Sequence, residues 1–558
     1  MAPGPKLELR PPAVLSGPRE IPKGFPNGAG LQSGTFHGEG MAEAEAPSAA
    51  PEARTGLDPW GRAELPVPPS TEGLRLLAVV GPGAIVLGAA IGSGEWLIGP
   101  AAFVKYGMSL LWVTLVAVAL QAVLNTEAIR YTLYTGEPVF TGFMRTRPGS
   151  TFWAWTYSVL YLLQSGWPGW AGASAGAFFY LLAGRPATPG DAGAVYGTGV
   201  AAFLACVLLL VFSGRRIERM LEVVNWVMVV MILGGLVVLC ALFAGPREWL
   251  SALVGFAGFD LASRSFLFVP AGVDWFLIGA FAAFSGCGGA VNLTLTNWVR
   301  DKGYGMGQVV GYIPALVGGQ KVHLAHAGSV FEPTPGQLGR WAGWWRIVRY
   351  DQWGIFFAGS LLGMALPGIL YTASIPRGTE LRGLGIASEL AHALSPAGSA
   401  ALAVSLALMS VWILFKAQLD NFEGMTRVIT DILWSGSRRV RAWRGGDVRV
   451  VYYSVLAVIA AWGVFALGLT QPIVLLQIGG NVAGLTLAVS ALHVLYLNTR
   501  FLPEPLRPPF WRRAGLVATA LFYGLFVCLW LASVIGPRVA AAVGSARVGQ
   551  ISNLLIVR

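Results

Sequence analysis

A glutamate inside an apolar run is the first residue of this chain able to do chemistry. Glu95 stands in AAIGSGEWLIGPA, directly after Gly92, Ser93 and Gly94. An ionisable side chain at the centre of a membrane helix costs about 2.5–3.5 kcal/mol on insertion scales, and such residues mark ion or substrate pathways. Glycine costs about 1 kcal/mol relative to alanine in a helix, so Gly-Ser-Gly favours unwound backbone. Freed backbone groups at membrane depth persist where they line a polar cavity or meet a ligand. Beside such a break, Glu95 can ligate a cation or carry a coupled proton. The plainer alternative pairs it with Lys105 nearer the end of the run. A second cluster, FSGCGGAVNLTLTN, places Gly286, Cys287, Gly288 and Gly289 ahead of Asn292. Either cluster alone also fits close packing of small residues between helices.

Other polar residues in apolar runs carry weaker signals. Gln477 and Asn481 are four apart and share a helix face, where they line one cavity or join helices by hydrogen bonds. Asp420 and Glu423 are three apart and also share a face. They line a cation path, or they pair locally, Asp420 with Lys416 and Glu423 with Arg427, each four residues away. Glu127 and Arg130 read as a local pair, and His493 as a buried, hydrogen-bonded histidine. Cys206, Cys240, Cys287 and Cys528 all lie in apolar runs and form neither a disulfide framework nor a zinc site. No Ser–His–Asp, Cys–His or phosphate-loop arrangement is present, so the expectation is a protein that is not an enzyme and needs no cofactor.

The elements that must position these residues follow from composition. Of 558 residues, 55% are apolar and 12% charged, with a mean hydropathy of +0.61. Soluble domains carry about 25% charged residues, so a soluble enzyme is excluded. Eleven apolar runs occur at about 76–104, 108–134, 152–183, 194–213, 220–244, 273–299, 353–373, 396–417, 450–469, 472–497 and 514–536. About 20 apolar residues cross a hydrocarbon core of ~30 Å, so the expectation is an all-α integral membrane bundle of eleven helices.

Residues 1–72, rich in Pro, Gly, Ala and Glu, read as a disordered tail, and 541–558 as a short C-terminal tail. The opening MAPGPKLELR has no apolar core and predicts no cleavable signal peptide; Met41 is an alternative translation start. With the N-terminus in the cytoplasm, 22 Lys and Arg fall on cytoplasmic loops and span ends. The opposite loops hold Lys105, Arg185, Arg247, Arg264, Arg377 and Arg382. That bias sets the orientation and leaves the C-terminus on the opposite side. It also accounts for the net charge of +11 without a nucleic-acid partner. RWAGWWRIVR, with Trp341, Trp344 and Trp345 beside arginines, predicts a short helix at the headgroup level.

The two glycine clusters lie in the first and sixth spans. A repeat of spans one to five by six to ten is inverted, because five is odd. Broken helices at matching places of inverted halves point to a midplane substrate site in a secondary transporter. The expected division is repeat one at about 73–245, repeat two at about 270–500, and an extra helix at about 514–536, within a membrane domain of 73–540.

GPGAIVLGAAIGSGEW, then GMSLLWVTLVAVALQAVL and a TGE turn, resembles spans one and two of the natural resistance-associated macrophage protein (Nramp) metal transporters. TQPIVLLQIGGNVAG resembles their span ten. The resemblance runs over about 75–500 and implies a LeuT-type fold of two inverted five-helix repeats. The family's first break reads Asp-Pro-Gly-Asn, with Asp and Asn on the metal; here Gly92, Ser93, Gly94 and Glu95 stand in its place. The family's sixth span reads Met-Pro-His-Asn followed by Leu-Tyr-Leu-His. Aligning Asn292 puts Gly289 at the methionine, and Val291 and Thr296 at the two histidines.

Loss of the thioether weakens the case for soft-metal selectivity. Glu95, Asn292, Gln477 and backbone carbonyls are hard donors suited to Mg²⁺ or another hard cation. The expected function is a secondary transporter of a divalent cation, favouring Mg²⁺ or Mn²⁺ over Fe²⁺, with Glu95, Asn292 and Gln477 as ligands. The glycine-rich segments 92–94 and 286–289 complete the substrate site. The alternatives are a transporter of a small organic solute on the same scaffold, or a membrane sensor or scaffold that does not transport.

Overall fold

The apolar runs fold into helices that bury one another's small and aromatic residues. The computed structural model describes residues 56–71, 81–92, 94–213, 217–310, 327–395 and 400–556. The first span is α1 (Pro82–Ala90), a π-helical turn (Gly94–Ile98) and α2 (Gly99–Tyr106). It is followed by α3 (Leu111–Thr135), α4 (Ser150–Ser165), α5 (Gly169–Ala183), α6 (Ala192–Ser213) and α7 (Ile217–Phe243). The sixth span is α8 (Trp275–Phe284) and α9 (Ala290–Asp301). Then come α10 (Pro335–Arg349), a π-helical stretch (Tyr350–Phe357), α11 (Ala358–Ser374) and α12 (Ala400–Gly436). The chain closes with α13 (Val448–Leu467), α14 (Pro472–Arg500) and α15 (Phe510–Ile556). Seven helical stretches among the described residues are long and apolar enough to cross a membrane. With the broken spans beside them, they make this an integral, multi-pass membrane protein.

Local sequence explains the starts. Pro82 and Pro472 occupy first helical positions, where the missing N–H costs nothing. Asp274 caps α8 by accepting bonds from the Phe276 and Leu277 amides. Among the described residues the strands are minor: β1 (Gly61–Arg62) pairs in parallel with β4 (Ser329–Val330), and β2 (Phe259–Asp260) antiparallel with β3 (Ser265–Phe266).

Several elements differ from the sequence expectation. Residues 56–71, assigned to the tail by composition, pack on the bundle through buried Leu57 and Leu65 and through Trp60, which meets Phe501 edge-on. Three apolar anchors are enough to hold so short a segment; residues 1–55 lie outside the described residues. The third span is cut at 166–168, where Pro168 and two flanking glycines separate α4 from α5.

The tryptophan-rich segment is not a separate surface helix. Residues 335–374 form one helix of 40 residues. Trp341 and Trp344 are buried against Phe331 and Tyr304, and the Trp345 ring lies under the guanidinium groups of Arg130 and Arg512. Those arginines also converge on Glu127, so the pair expected between Glu127 and Arg130 is part of a larger buried group. The eighth span continues 19 residues past its expected end to Gly436, and the last helix runs on to Ile556. His493 is hydrogen-bonded as expected, to the Thr146 hydroxyl at 2.9 Å and the Tyr157 hydroxyl at 3.0 Å, but it is half-buried rather than buried.

Candidate substrate site at two helix breaks

The two glycine clusters are helix breaks, and they touch. Between α1 and the π-helical turn the chain leaves helical geometry at 91–92; Ser93 lies outside the described residues. Gly92 packs on Ala417 of α12, and a Cβ there would sit 2.1 Å from the alanine methyl. Gly94 packs on the last turn of α8, where a Cβ would stand 1.9 Å from the Phe284 carbonyl oxygen. Only glycine permits that approach of backbone to backbone.

Glu95 follows in the π-helical turn at 0% exposure. Neither carboxylate oxygen has a hydrogen-bond partner. The carboxylate faces α11 at Gly363, where a Cβ would fall 2.2 Å from Oε2. Its suggested partner, Lys105, is instead bonded to Glu380 at 2.7 Å. An isolated buried carboxylate carries a desolvation cost of several kcal/mol unless a proton or a cation compensates it.

The second break, 285–289, is built differently. Gly286, Gly288 and Gly289 have φ of 92°, 82° and 65°, a region open mainly to glycine. Two glutamines hold the unwound chain. Gln121 of α3 places its amide nitrogen 2.7 Å from the Ser285 carbonyl and 2.9 Å from the Tyr523 hydroxyl. Its oxygen accepts from the Cys287 amide at 3.0 Å, the Gly288 amide at 3.3 Å and the Asn292 side chain at 3.1 Å. Gln164, at the end of α4, donates to the Gly288 carbonyl at 3.1 Å and accepts from the Ala290 amide at 2.9 Å, so it caps α9. Tyr161 adds a bond to the Thr294 hydroxyl at 3.0 Å.

Asn292 lies in the first turn of α9. Its nitrogen is shared between Gln121 and Asn125, at 3.1 and 3.0 Å, while its Oδ1 is buried without a partner. From Asn125 the polar chain continues through Gln352 to Asp351. Asp351 accepts from the Gly81 and Gly83 amides at the start of α1. One buried network thus joins the second break to the entry of the first broken helix. Cys287 is buried at the break.

The remaining predicted residues are placed elsewhere. Gln477 lines a cavity of about 380 Å³ with Ala101, Lys105, Asp274 and Glu380. Lys105, through its hydrogen bond and charge, holds the Glu380 carboxyl below the usual carboxylate range. Ala101 is six residues beyond Glu95, roughly 9 Å along a helix axis, so this cavity approaches the first break from one end. Asn481 donates to the Phe276 carbonyl at 2.8 Å and ties α14 to α8, as the helix-joining reading expects; its Oδ1 has no partner. Asp420 and Glu423 lie well inside α12, ion-paired with Lys416 and Arg427 respectively. That is the local pairing the spacing allowed. Among the described residues no three His, Cys, Asp or Glu side chains gather as a metal cluster. An ion held here would be met by one carboxylate and neutral donors.

Sequence reasoning missed Gln121 and Gln164 as the residues that shape the site. The signal was present: Gln121 and Asn125 are four apart in an otherwise apolar run, and Gln164 is an amide in a span with no charged residue. Gln418 and Asn421 of α12 were missed in the same way. They satisfy the Ala171 amide and the Ser165 carbonyl at the cut in the third span.

No protein-family model matches the chain, and no curated protein does either. Solved structures do. A manganese transporter from Eremococcus coleocola, as a histidine mutant, aligns over 84% of this chain and 90% of its own at 16% identity, with a TM-score of 0.54. The same transporter with an aromatic bis-isothiourea compound aligns over 88% of this chain and 92% of its own, at 15% identity and a TM-score of 0.53. At such identity the likeness concerns the fold, and it bears out the helical architecture with breaks in the first and sixth spans. The chain carries the LeuT-type transporter fold in the form taken by these manganese transporters.

Proposed function

We propose that this protein is a secondary transporter of a divalent metal cation, with Glu95 as the charged ligand. The observation that carries the reading is the Glu95 carboxylate, fully buried beside both breaks with neither oxygen hydrogen-bonded. A cation compensates that charge directly, and the manganese transporters that share the fold favour a metal as substrate. The partnerless Oδ1 of Asn292, with backbone carbonyls of the breaks such as those of Gly92, Gly286 and Cys287, would supply further oxygen donors. Gln477, at the cavity wall, would meet the ion on its way. Oxygen donors around one carboxylate suit Mg²⁺ or Mn²⁺ better than Fe²⁺. In this reading the repeats are about 73–245 and 270–500, with the N-terminus cytoplasmic and the C-terminus opposite, as the loop charges favour.

The test is uptake of Mg²⁺ and Mn²⁺ by vesicles reconstituted with wild type and with Glu95→Gln. Saturable uptake that the substitution abolishes is expected. No uptake above empty vesicles by folded protein would overturn the reading and move attention to organic solutes.

A further inference from the structure

The connection between α12 and α13 carries more positive charge than the protein neutralises. Residues 438–449 hold five arginines and one acid, Asp447, which pairs with Arg449. Among the described residues, no acid is ion-paired with Arg438, Arg439, Arg441 or Arg444. Arg441 is half-buried; it donates to the Ser435 carbonyl at 3.4 Å, and its Nε is buried without a partner. Arg438, Arg441 and Ala442 line a cavity of about 330 Å³ together with Gly56, Leu57 and Asp58 of the N-terminal segment. Arg145 fixes the backbone there by donating to the Asp58 carbonyl at 2.9 Å, while the Asp58 carboxylate has no partner among the described residues. Two guanidinium side chains and a carboxylate thus border one cavity without pairing.

The cavity lies at the foot of a helix that faces lipid. Gly56 packs on Ser150, the first residue of α4, where a Cβ would stand 3.1 Å from the serine oxygen. The Thr151 hydroxyl donates to the Gly436 carbonyl at 3.0 Å and joins that foot to the end of α12. From there Phe152, Trp155, Val159 and Leu163 are exposed at helical spacing, an apolar row along a membrane span. Trp443, 45% exposed among the arginines, is a ring of the kind that sits at the headgroup level. Guanidinium groups bind phosphate through charge-assisted hydrogen bonds, and basic clusters beside a span recognise lipid head groups. The carboxylate adds a place for a primary ammonium. We propose that this cavity binds the head group of an aminophospholipid such as phosphatidylethanolamine. Its phosphate meets Arg438 and Arg441, its ammonium meets Asp58, and its acyl chains run along α4. Free O-phosphoethanolamine offers the same two charges, but the apolar row favours the lipid. None of these residues belongs to either helix break, so the site is independent of what the protein carries.

The experiment is thermal unfolding of the purified full-length protein in a neutral detergent. Dioleoyl phosphatidylethanolamine, phosphatidylcholine or phosphatidylglycerol is added, or soluble O-phosphoethanolamine. Phosphatidylethanolamine is expected to raise the melting temperature by several degrees, saturably. Phosphatidylcholine, whose quaternary ammonium has no N–H to donate, should do less. Arg438→Gln and Arg441→Gln should lose the response, and Asp58→Asn should lose the preference for ethanolamine over choline. Arg439→Gln removes the same charge without lining the cavity and should respond as wild type. If Arg441→Gln does not fold, Arg438→Gln, at an exposed position, carries the test. Equal responses to ethanolamine and choline lipids would overturn the proposal. So would phosphatidylglycerol matching phosphatidylethanolamine, or Arg439→Gln failing like Arg438→Gln, since the loop would then sense charge alone. Soluble O-phosphoethanolamine acting as well as the lipid at equal concentration would overturn the lipid assignment.

Discussion

The two breaks look alike in sequence and differ in how their polar groups are satisfied. At the second, Gln121 and Gln164 take up the Ser285 and Gly288 carbonyls and the Cys287, Gly288 and Ala290 amides. At the first, glycines press against Ala417 and Phe284, and the charged side chain beside them has no protein partner. Buried polar groups are normally hydrogen-bonded, and an exception asks for an explanation such as an absent ion. The backbone of the second break is met by protein groups, with only the Asn292 oxygen left over, whereas the first leaves a whole carboxylate unmatched, and it is there that our proposal places the cation. Substitutions at the second should therefore cost stability, whereas Glu95 should cost activity alone.

The largest stability effect is expected at Gln121. Gln121→Leu strands the Cys287 and Gly288 amides and removes the bond to the Ser285 carbonyl, while Asn292 keeps its bond to Asn125; each buried group left unpaired costs about 1–3 kcal/mol. A loss of about 3 kcal/mol or more is expected in unfolding of the purified protein. A near-neutral result would mean that water replaces the glutamine and that the second break is as open as the first.

Gly289→Ala comes next. Gly289 has φ 65° and ψ −128°, a sparsely populated backbone conformation that costs of order 1–3 kcal/mol for a residue with a Cβ. The added methyl would also fall 2.1 Å from the Gln164 oxygen. Loss of about 2 kcal/mol, together with weaker capping of α9, is the expected outcome in a melting series. Tyr161→Phe removes one hydroxyl from Thr294, which keeps its bond to the Ala290 carbonyl. A cost of about 1 kcal/mol is expected there.

Glu95→Gln sits at the end of the scale for stability and at the start for uptake. Replacing a partnerless carboxylate by a neutral amide removes a desolvation cost. The variant should melt at or above the wild-type temperature while losing uptake. A fall in melting temperature as large as that of Gln121→Leu would erase the distinction between the breaks.

Much of this contrast was legible in the sequence, and the part that was not has a common physical origin. Gly92, Gly94 and Glu95 and the run from Gly286 to Gly289 stood out because glycine clusters and acids are costly in membrane helices. The i, i+4 pairs of Lys416 with Asp420 and Arg427 with Glu423 also followed from spacing alone. Gln121, Gln164, Gln418 and Asn421 did not stand out. An amide in an apolar run reads the same whether it joins helices or dresses a break, and its partners are distant in the chain. Gln121 and Tyr523 are 402 residues apart, and Lys416 and Gly88 are 328 apart.

By itself, the sequence determined that the chain enters a membrane, which spans break and which acid lies beside a break. These are local properties: hydropathy over about 20 residues, glycine's backbone freedom and the cost of a charge in hydrocarbon. The tertiary structure alone decided which polar groups are left without partners. Satisfaction of a buried group depends on what other helices bring within about 3 Å. That is how Glu95 stays unpaired, how Asn292 keeps a free oxygen, and how Lys416 reaches the carbonyl of a helix from the other end of the chain.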